Sequence, residues 1–383
     1  MKKALMLASV ASMIDLFNRD NLDILTSLGF HVDVACNFDN GSITSQEKVD
    51  TFKRELIDSD YQVHNLPIPR SITKLKKIYQ SYKIVNKLCQ TNNYEIVHCH
   101  SPIGGFIARL ACKKARKKGT KVIYTAHGFH FYKGAPIKNW IIYYTIEKML
   151  SKFTDTIITM NIEDYQNAKR FSTKNTIYIP GIGIDVDLIK NTVINKSSKR
   201  KQLGLTDEDF VFISIGQLSV RKNHEVIIKA LSLVTNDSIK LIICGLGELE
   251  SYLQKLVNDL GLKKRVIFTG YRSDVYELLH MSDAFIFPSL QEGLPVSLME
   301  AMAVGLPVVC SRIRGNIDLI QDGINGLLMN PKDIEATSKN INLIYKDKII
   351  RQKMSENNIK IINNYDKNII RFEMLKLYKQ YNL

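Results

Sequence analysis

Two glutamates eight residues apart, Glu292 and Glu300, stand in the stretch S-D-A-F-I-F-P-S-L-Q-E-G-L-P-V-S-L-M-E-A-M-A-V-G between Ser282 and Gly305. The apolar run Ala284–Phe287 reads as a buried parallel strand that ends at Pro288, since proline has no N–H for the ladder. Pro295 then stands where a helix can begin, followed by apolar residues at helical spacing. Both carboxylates therefore belong to the carboxyl end of a strand, where open α/β sheets bind ligands. Each can accept two hydrogen bonds from vicinal hydroxyls, so Glu292 suits a sugar and Glu300 a ribose. A second junction of the same kind follows a strand over 209–215, where Gly216 lets the backbone turn and Arg221 and Lys222 precede the helix 225–233. Two cations at a strand-to-helix junction suit a diphosphate. Histidines end two further strands: His100 after 95–100, and His127 after 121–125, where Gly128 allows close approach. His98 fits the core of its strand, while His100 suits either a site or a structural hydrogen bond.

Elements that could position these groups alternate along the whole chain. Strands are expected at 4–10, 31–35, 62–66, 95–100, 121–125, 155–159 and 176–179, then at 209–215, 239–244, 266–268, 284–287 and 307–310. Helices lie between them, among them 21–28, 75–88 and 106–115. This is the pattern of two doubly wound α/β domains, and 383 residues suit two domains. The polar, basic composition from Asp187 to Gly204 marks a linker, giving domains 1–187 and 188–366.

The glutamate stretch resembles the E-x7-E signature of retaining, nucleotide-sugar-dependent glycosyltransferases of the GT-B fold, in the large family 4 group. That resemblance implies two Rossmann-like doubly wound domains facing a central cleft, with a last helix over 367–383 packed back onto the first domain. It implies that Glu292, His127 and Lys222 are catalytic, His127 touching the donor sugar. Arg221, Lys222, Glu300, Gly293, Leu294, Gly216, Tyr271 and Arg272 would bind the donor, the last two on its base side. His100 and Ser12 would face the acceptor. The chain departs from the family pattern at four places: Ser9-Val10-Ala11-Ser12 replaces glycines, Gly181 an asparagine, Gln217 an arginine, and Arg314-Gly315-Asn316-Ile317-Asp318 the usual G-G-x-x-E.

The segments M-L-A-S-V-A-S-M-I-D-L-F-N and Y-T-A-H-G-F-H-F-Y-K-G-A-P are similar to those of bacterial enzymes that build capsular or exopolysaccharide repeat units. The resemblance implies a UDP-sugar donor, a polyprenyl-diphosphate-linked saccharide acceptor, and peripheral contact with the anionic inner face of the cytoplasmic membrane. The nucleotide sugar is a substrate, and no cofactor or metal is expected, because Arg221 and Lys222 can neutralise the departing diphosphate. With no carboxylate placed as a nucleophile, front-face attack is the expected route to retention, and domain closure would exclude water.

The net charge of +15 is concentrated in the first half: residues 1–190 hold 27 Lys+Arg against 17 Asp+Glu. The densest run is Lys113-Lys114-Ala115-Arg116-Lys117-Lys118, with a second cluster at Lys74, Lys76 and Lys77. Without a zinc finger, aromatic RNP motif or helix-turn-helix beside them, nucleic acid is not the expected partner. The segment 135–153 mixes aromatic, apolar and lysine residues. It suits an interfacial helix or one packed on the sheet. No stretch is long and apolar enough to span a bilayer, and the start, Met1-Lys2-Lys3 and an apolar run, fits a first strand better than a signal peptide. Six cysteines without metal spacing read as reduced core thiols of a cytoplasmic protein. Two other classes stay open: a nucleotide-sugar epimerase of the same fold, and a non-catalytic protein that binds membranes or polyanions.

Overall fold

The computed structural model describes residues 2–42 and 44–382; Met1, Ile43 and Leu383, the last of which ends the expected C-terminal helix, lie outside the described residues. The chain divides into two compact units, one of residues 1–182 and 368–383, the other of Gly183–Lys367.

The first unit is built on a seven-stranded sheet of β1 (Lys2–Val10), β2 (Phe30–Asn37), β3 (Gln62–Asn65), β4 (Ile96–His100), β5 (Lys121–Ala126), β6 (Thr156–Thr159) and β7 (Asn175–Tyr178). Its order is β3-β2-β1-β4-β5-β6-β7, with every pairing parallel. Strands buried on both faces must be apolar in both phases of the pleat. In β1, Ala4, Met6 and Ala8 enter one core, and Leu5 and Leu7 enter the other. The first core is completed by Ile370, Met374, Leu377 and Tyr378 of the helix Lys367–Tyr381. The second lies beneath the helices Leu75–Thr91 and Pro102–Ala111. The latter helix packs so closely that a Cβ on Gly105 would stand 2.4 Å from the Tyr124 ring.

The second unit carries β8 (Phe210–Ile215), β9 (Ile239–Cys244), β10 (Val266–Gly270), β11 (Ala284–Phe287), β12 (Val308–Ser311) and β13 (Gly326–Met329), in the order β10-β9-β8-β11-β12-β13 and again all parallel. The strand order reverses between β1 and β4 in one sheet and between β8 and β11 in the other. The ends of those strand pairs are the topological switch points, where the diverging connections leave a crevice.

Three expectations are modified. The stretch 187–204 is not a free linker: it contains the helices Val186–Lys190 and Lys196–Gln202, within the second unit. Ile189 and Leu205 enter that unit's core, and of the basic residues between them Lys199 and Arg200 are buried by pairing. Arg200 donates to Asp283 at 2.6 Å and to the Met281 carbonyl at 3.0 Å, and Lys199 is bound by Asp274 and Glu277. The chain passes between units at 182/183 and 367/368 instead. The helix expected over 106–115 begins at Pro102, which needs no N–H in a first turn, and stops at Ala111. The segment 135–153 is interrupted by a π-helical turn, Trp140–Tyr144. That turn lets Trp140 and Tyr144 pack against Phe131, at ring separations of 5.5 and 5.3 Å, while Ile137, Ile141, Ile142 and Met149 remain exposed. The packed reading therefore holds for Trp140 and Tyr144.

Candidate active site

In the second unit the chemistry gathers where β8 and β11 end side by side. After Gly216 the chain makes a 3-10 turn, Val220–Lys222, and enters the helix His224–Ser232 through Asn223 at φ 57°. Asparagine tolerates this left-handed conformation, and here its amide donates to the Pro288 and Pro331 carbonyls at 3.0 and 2.7 Å. The Leu290 N–H donates to the Arg221 carbonyl at 2.8 Å, so the loops after β8 and β11 are tied together. The aliphatic stem of Lys222 crosses Gly216, where a Cβ would lie 3.0 Å from Lys222 Cε. Its ammonium sits 4.5 Å from the centre of the Phe287 ring and donates to Glu292 Oε1 at 2.8 Å. Arg221 Nη1 reaches the same oxygen at 2.8 Å and the Gln291 carbonyl at 3.0 Å.

Glu292 is thus buried beneath two cations: its side chain is 9% exposed, against 11% for Lys222 and 45% for Arg221. Burial lowers the Lys222 pKa, opposed by the Glu292 charge. The loop is fixed from below by Arg314, whose Nε donates to the Glu292 carbonyl at 3.2 Å. Gly315, at φ 81°, passes so near that a Cβ would meet the Gly293 carbonyl oxygen at 2.3 Å. The loop 314–318 therefore supports Gly293 and Leu294. The sequence assigned no site role to Asn223, Phe287 or the Arg314 side chain. The position of Asn223 just before a helix is the one signal that would have singled it out.

Glu300 lies in the helix Val296–Ala303 and is partly buried, and burial raises its pKa to about 7. Among the described residues its carboxylate has no hydrogen-bond partner, so those oxygens remain available as acceptors. At the end of β10, Tyr271 is exposed, whereas Arg272 is held by Asp274 through bonds of 2.7 and 2.5 Å.

In the first unit, His98, His100 and His127 form a column across the ends of β4 and β5. His98 is fully buried, with Nδ1 2.6 Å from the Tyr378 hydroxyl and Nε2 2.7 Å from Thr125 Oγ1. His100 is also buried, with Nδ1 3.2 Å from His127 Nε2, so it stands behind His127. Desolvation pulls His98 to about 3, His127 to about 4, and His100 well below the usual histidine range. The column is therefore neutral near pH 7 and acts through hydrogen bonds, with His127 Nδ1 left without a partner among the described residues. Ser12 is buried in the first turn of the helix Ala11–Phe17. Beside it, Ser9 accepts from the Gly104 N–H at 3.0 Å and its own N–H donates to Ser101 Oγ at 3.1 Å.

Two family models match the chain: "Glycosyl transferases group 1" over residues 195–361 and "Glycosyl transferase 4-like" over residues 22–161. EpsD of Bacillus subtilis (strain 168), provisionally named a glycosyltransferase, is 34% identical over 385 residues, covering 99% of this chain and 97% of that relative. The UDP-Gal:alpha-D-GlcNAc-diphosphoundecaprenol alpha-1,3-galactosyltransferase of Escherichia coli is 31% identical over 303 residues, or 77% of this chain and 76% of that protein. The crystal structure of Anabaena HepE in complex with UDP-glucose superposes with a TM-score of 0.78 at 21% identity, covering 99% of this chain and 100% of that one.

Proposed function

Because the chain belongs to the group 1 glycosyl transferases, with two parallel-sheet domains of the GT-B type, we propose that it moves a sugar from a UDP-sugar to a polyprenyl-diphosphate-linked saccharide, with retained anomeric configuration, in capsule or exopolysaccharide synthesis. The observation that carries this reading is the convergence of Arg221, Lys222 and Glu292 at the ends of β8 and β11. The named donor and acceptor of the Escherichia coli relative support the substrate classes.

In this reading the bond between the anomeric carbon and the diphosphate oxygen breaks, and the acceptor hydroxyl attacks from the same face. Its proton passes to the departing phosphate oxygen. Arg221 and Lys222 stabilise the charge that grows on the diphosphate, a role worth about 3 kcal/mol for a single well-placed donor. When the diphosphate takes up these cations, Glu292 is released to accept bonds from the sugar hydroxyls. Glu300 accepts from the ribose, Gly293 and Leu294 line the donor, and Tyr271 and Arg272 serve its base. His127 offers a neutral imidazole to a sugar hydroxyl, and His100 holds that ring in place. No divalent metal is required in this scheme.

Contact with the inner face of the cytoplasmic membrane is part of the same proposal. It is supported by the exposed Ile137, Ile141, Ile142 and Met149 beside Lys138 and Lys148, a composition suited to the interface of anionic lipid. Among the described residues no helix is long and apolar enough to cross a membrane.

The test is to incubate purified protein with UDP-, GDP- and ADP-sugars, with and without bacterial lipid extract. Released nucleoside diphosphate and the anomeric configuration of the product are then measured. Release of UDP that rises with lipid extract and disappears in Glu300→Ala supports the proposal. Conversion of the nucleotide sugar without release of diphosphate, or an inverted product, overturns it.

A further inference from the structure

The lysine run at 113–118 takes no part in the reaction described above. It lies at the opposite end of the first sheet. Lys121 opens β5, Asp155 directly precedes β6 and Lys174 directly precedes β7, whereas His100 and His127 stand at the other ends of β4 and β5. The six residues from Lys121 to His127 correspond to about 20 Å along a strand. Around this amino-terminal edge is a cavity of about 360 Å³ lined by Lys113, Arg116, Lys117, Lys121, Lys152 and Lys174, with Phe153 and the single carboxylate of Asp155.

The cavity wall is tied together by that carboxylate. Asp155 accepts from Arg116 Nε and Nη2 at 2.8 and 3.0 Å and from the Val122 N–H at 3.0 Å. Arg116 also donates to the Lys152 carbonyl at 2.8 Å, joining the 113–117 turn to the 152–155 turn. Lys113 holds its ammonium 5.0 Å from the centre of the Phe153 ring, and Lys121 holds its own 5.9 Å from Tyr381. Asp155 is occupied by Arg116, with Lys174 at 3.5 Å. Among the described residues Lys113, Lys117, Lys121 and Lys152 have no carboxylate partner. Unpaired like charges within a Debye length, about 8 Å at physiological salt, repel one another unless an anion enters.

We propose that this cavity binds a phosphate-bearing anion of two or more negative charges, at a site separate from that of the donor sugar. Such an anion replaces the missing carboxylates, and Lys113, Lys117 and Lys152 meet its oxygens as compact point charges. The phosphate can belong to a soluble molecule or to a lipid headgroup, and the test separates the two.

Inorganic pyrophosphate is titrated calorimetrically at 150 mM salt into the full chain carrying Arg221→Ala and Lys222→Ala, which silence the donor loop. The same protein is floated with phosphatidylcholine vesicles with and without phosphatidylglycerol. Each measurement is repeated with Lys113→Gln/Lys117→Gln/Lys152→Gln added, and with the control Lys74→Gln/Lys76→Gln/Lys77→Gln, which removes the same charge from the other cluster. The expected result is at least tenfold weaker binding in the first triple variant and less than a twofold change in the control. Lys152→Glu alone, on an exposed side chain, should weaken binding severalfold. A loss specific to the first triple variant with pyrophosphate supports the site with a soluble ligand. The same loss seen only with phosphatidylglycerol vesicles supports it with a headgroup. Equal losses in the two triple variants, or no binding of either probe, overturn it.

Discussion

Removing either partner of the Lys222–Glu292 pair should have unequal consequences for folding. In Glu292→Gln the Lys222 ammonium keeps its charge in a nearly buried position, 11% exposed, and loses the carboxylate 2.8 Å away while Arg221 remains as a like charge. Leaving one buried charge uncompensated costs several kcal/mol, and the amide oxygen recovers part of it, so about 2–3 kcal/mol is expected. In Lys222→Met the stem still covers Gly216 and Phe287, and Glu292 still accepts from Arg221 at 2.8 Å, so about 1 kcal/mol or less is expected. The double variant has neither the stranded cation nor the pair and should resemble Lys222→Met. Its coupling is then about 2 kcal/mol in a double-mutant cycle. Urea unfolding followed by far-UV circular dichroism reads this as a midpoint on the order of 1 M lower for Glu292→Gln. The fluorescence of Trp140, the only tryptophan and part of the first unit, should not move. Activity should fall about 10²–10³-fold in Lys222→Met although it folds almost normally. Equal destabilisation by the two single variants, or simple additivity in the double one, refutes this account of the pair.

Four further outcomes follow from the charges and the cores. Burial raises the Glu300 pKa to about 7, so its carboxylate forms as pH rises through neutrality; the KM for donor should fall between pH 6 and 8, and Glu300→Gln should lose that dependence. The same shift makes ionisation oppose folding, with stability declining as pH rises from about 4.5 to 7 unless Gln stands there. His98 and His127, held near 3 and 4, stay neutral in the fold while the unfolded chain protonates near 6.5. Stability is therefore lost as pH falls below that value, by about 2 kcal/mol for each at pH 5; an unchanged Trp140 unfolding midpoint between pH 7 and 5 would count against it. Deleting residues 368–383 removes Ile370, Met374, Leu377 and Tyr378 from the first core and should abolish the cooperative Trp140 transition, leaving the circular-dichroism transition of the second unit.

The strand Ala284–Phe287 and the helix after Pro295 were legible because proline sets both boundaries, and the structure keeps the strand over those residues. Arg221 and Lys222 were legible as cations beside a turning glycine. That they grip Glu292, 70 positions from Lys222, depends on β8 and β11 being neighbours across a reversal of strand order. No local pattern carries that adjacency. The pairing of His100 with His127 has the same origin in the β4–β5 neighbourhood. The 187–204 stretch was misread because lysine and arginine normally mark exposed chain, whereas Lys199 and Arg200 are buried by acidic partners from 75 to 83 residues further on.

The return of the helix Lys367–Tyr381 to the first core has a consequence for biosynthesis. A chain emerges from the ribosome in order, at roughly 5–20 residues per second. All of Gly183–Lys367 is therefore translated before Ile370, Met374, Leu377 and Tyr378 can close the apolar face that Ala4, Met6 and Ala8 present from β1. The unit begun first is completed last. During those tens of seconds its half-covered sheet is the part of the nascent protein most in need of a chaperone, and the second unit can reach its native state without waiting for it.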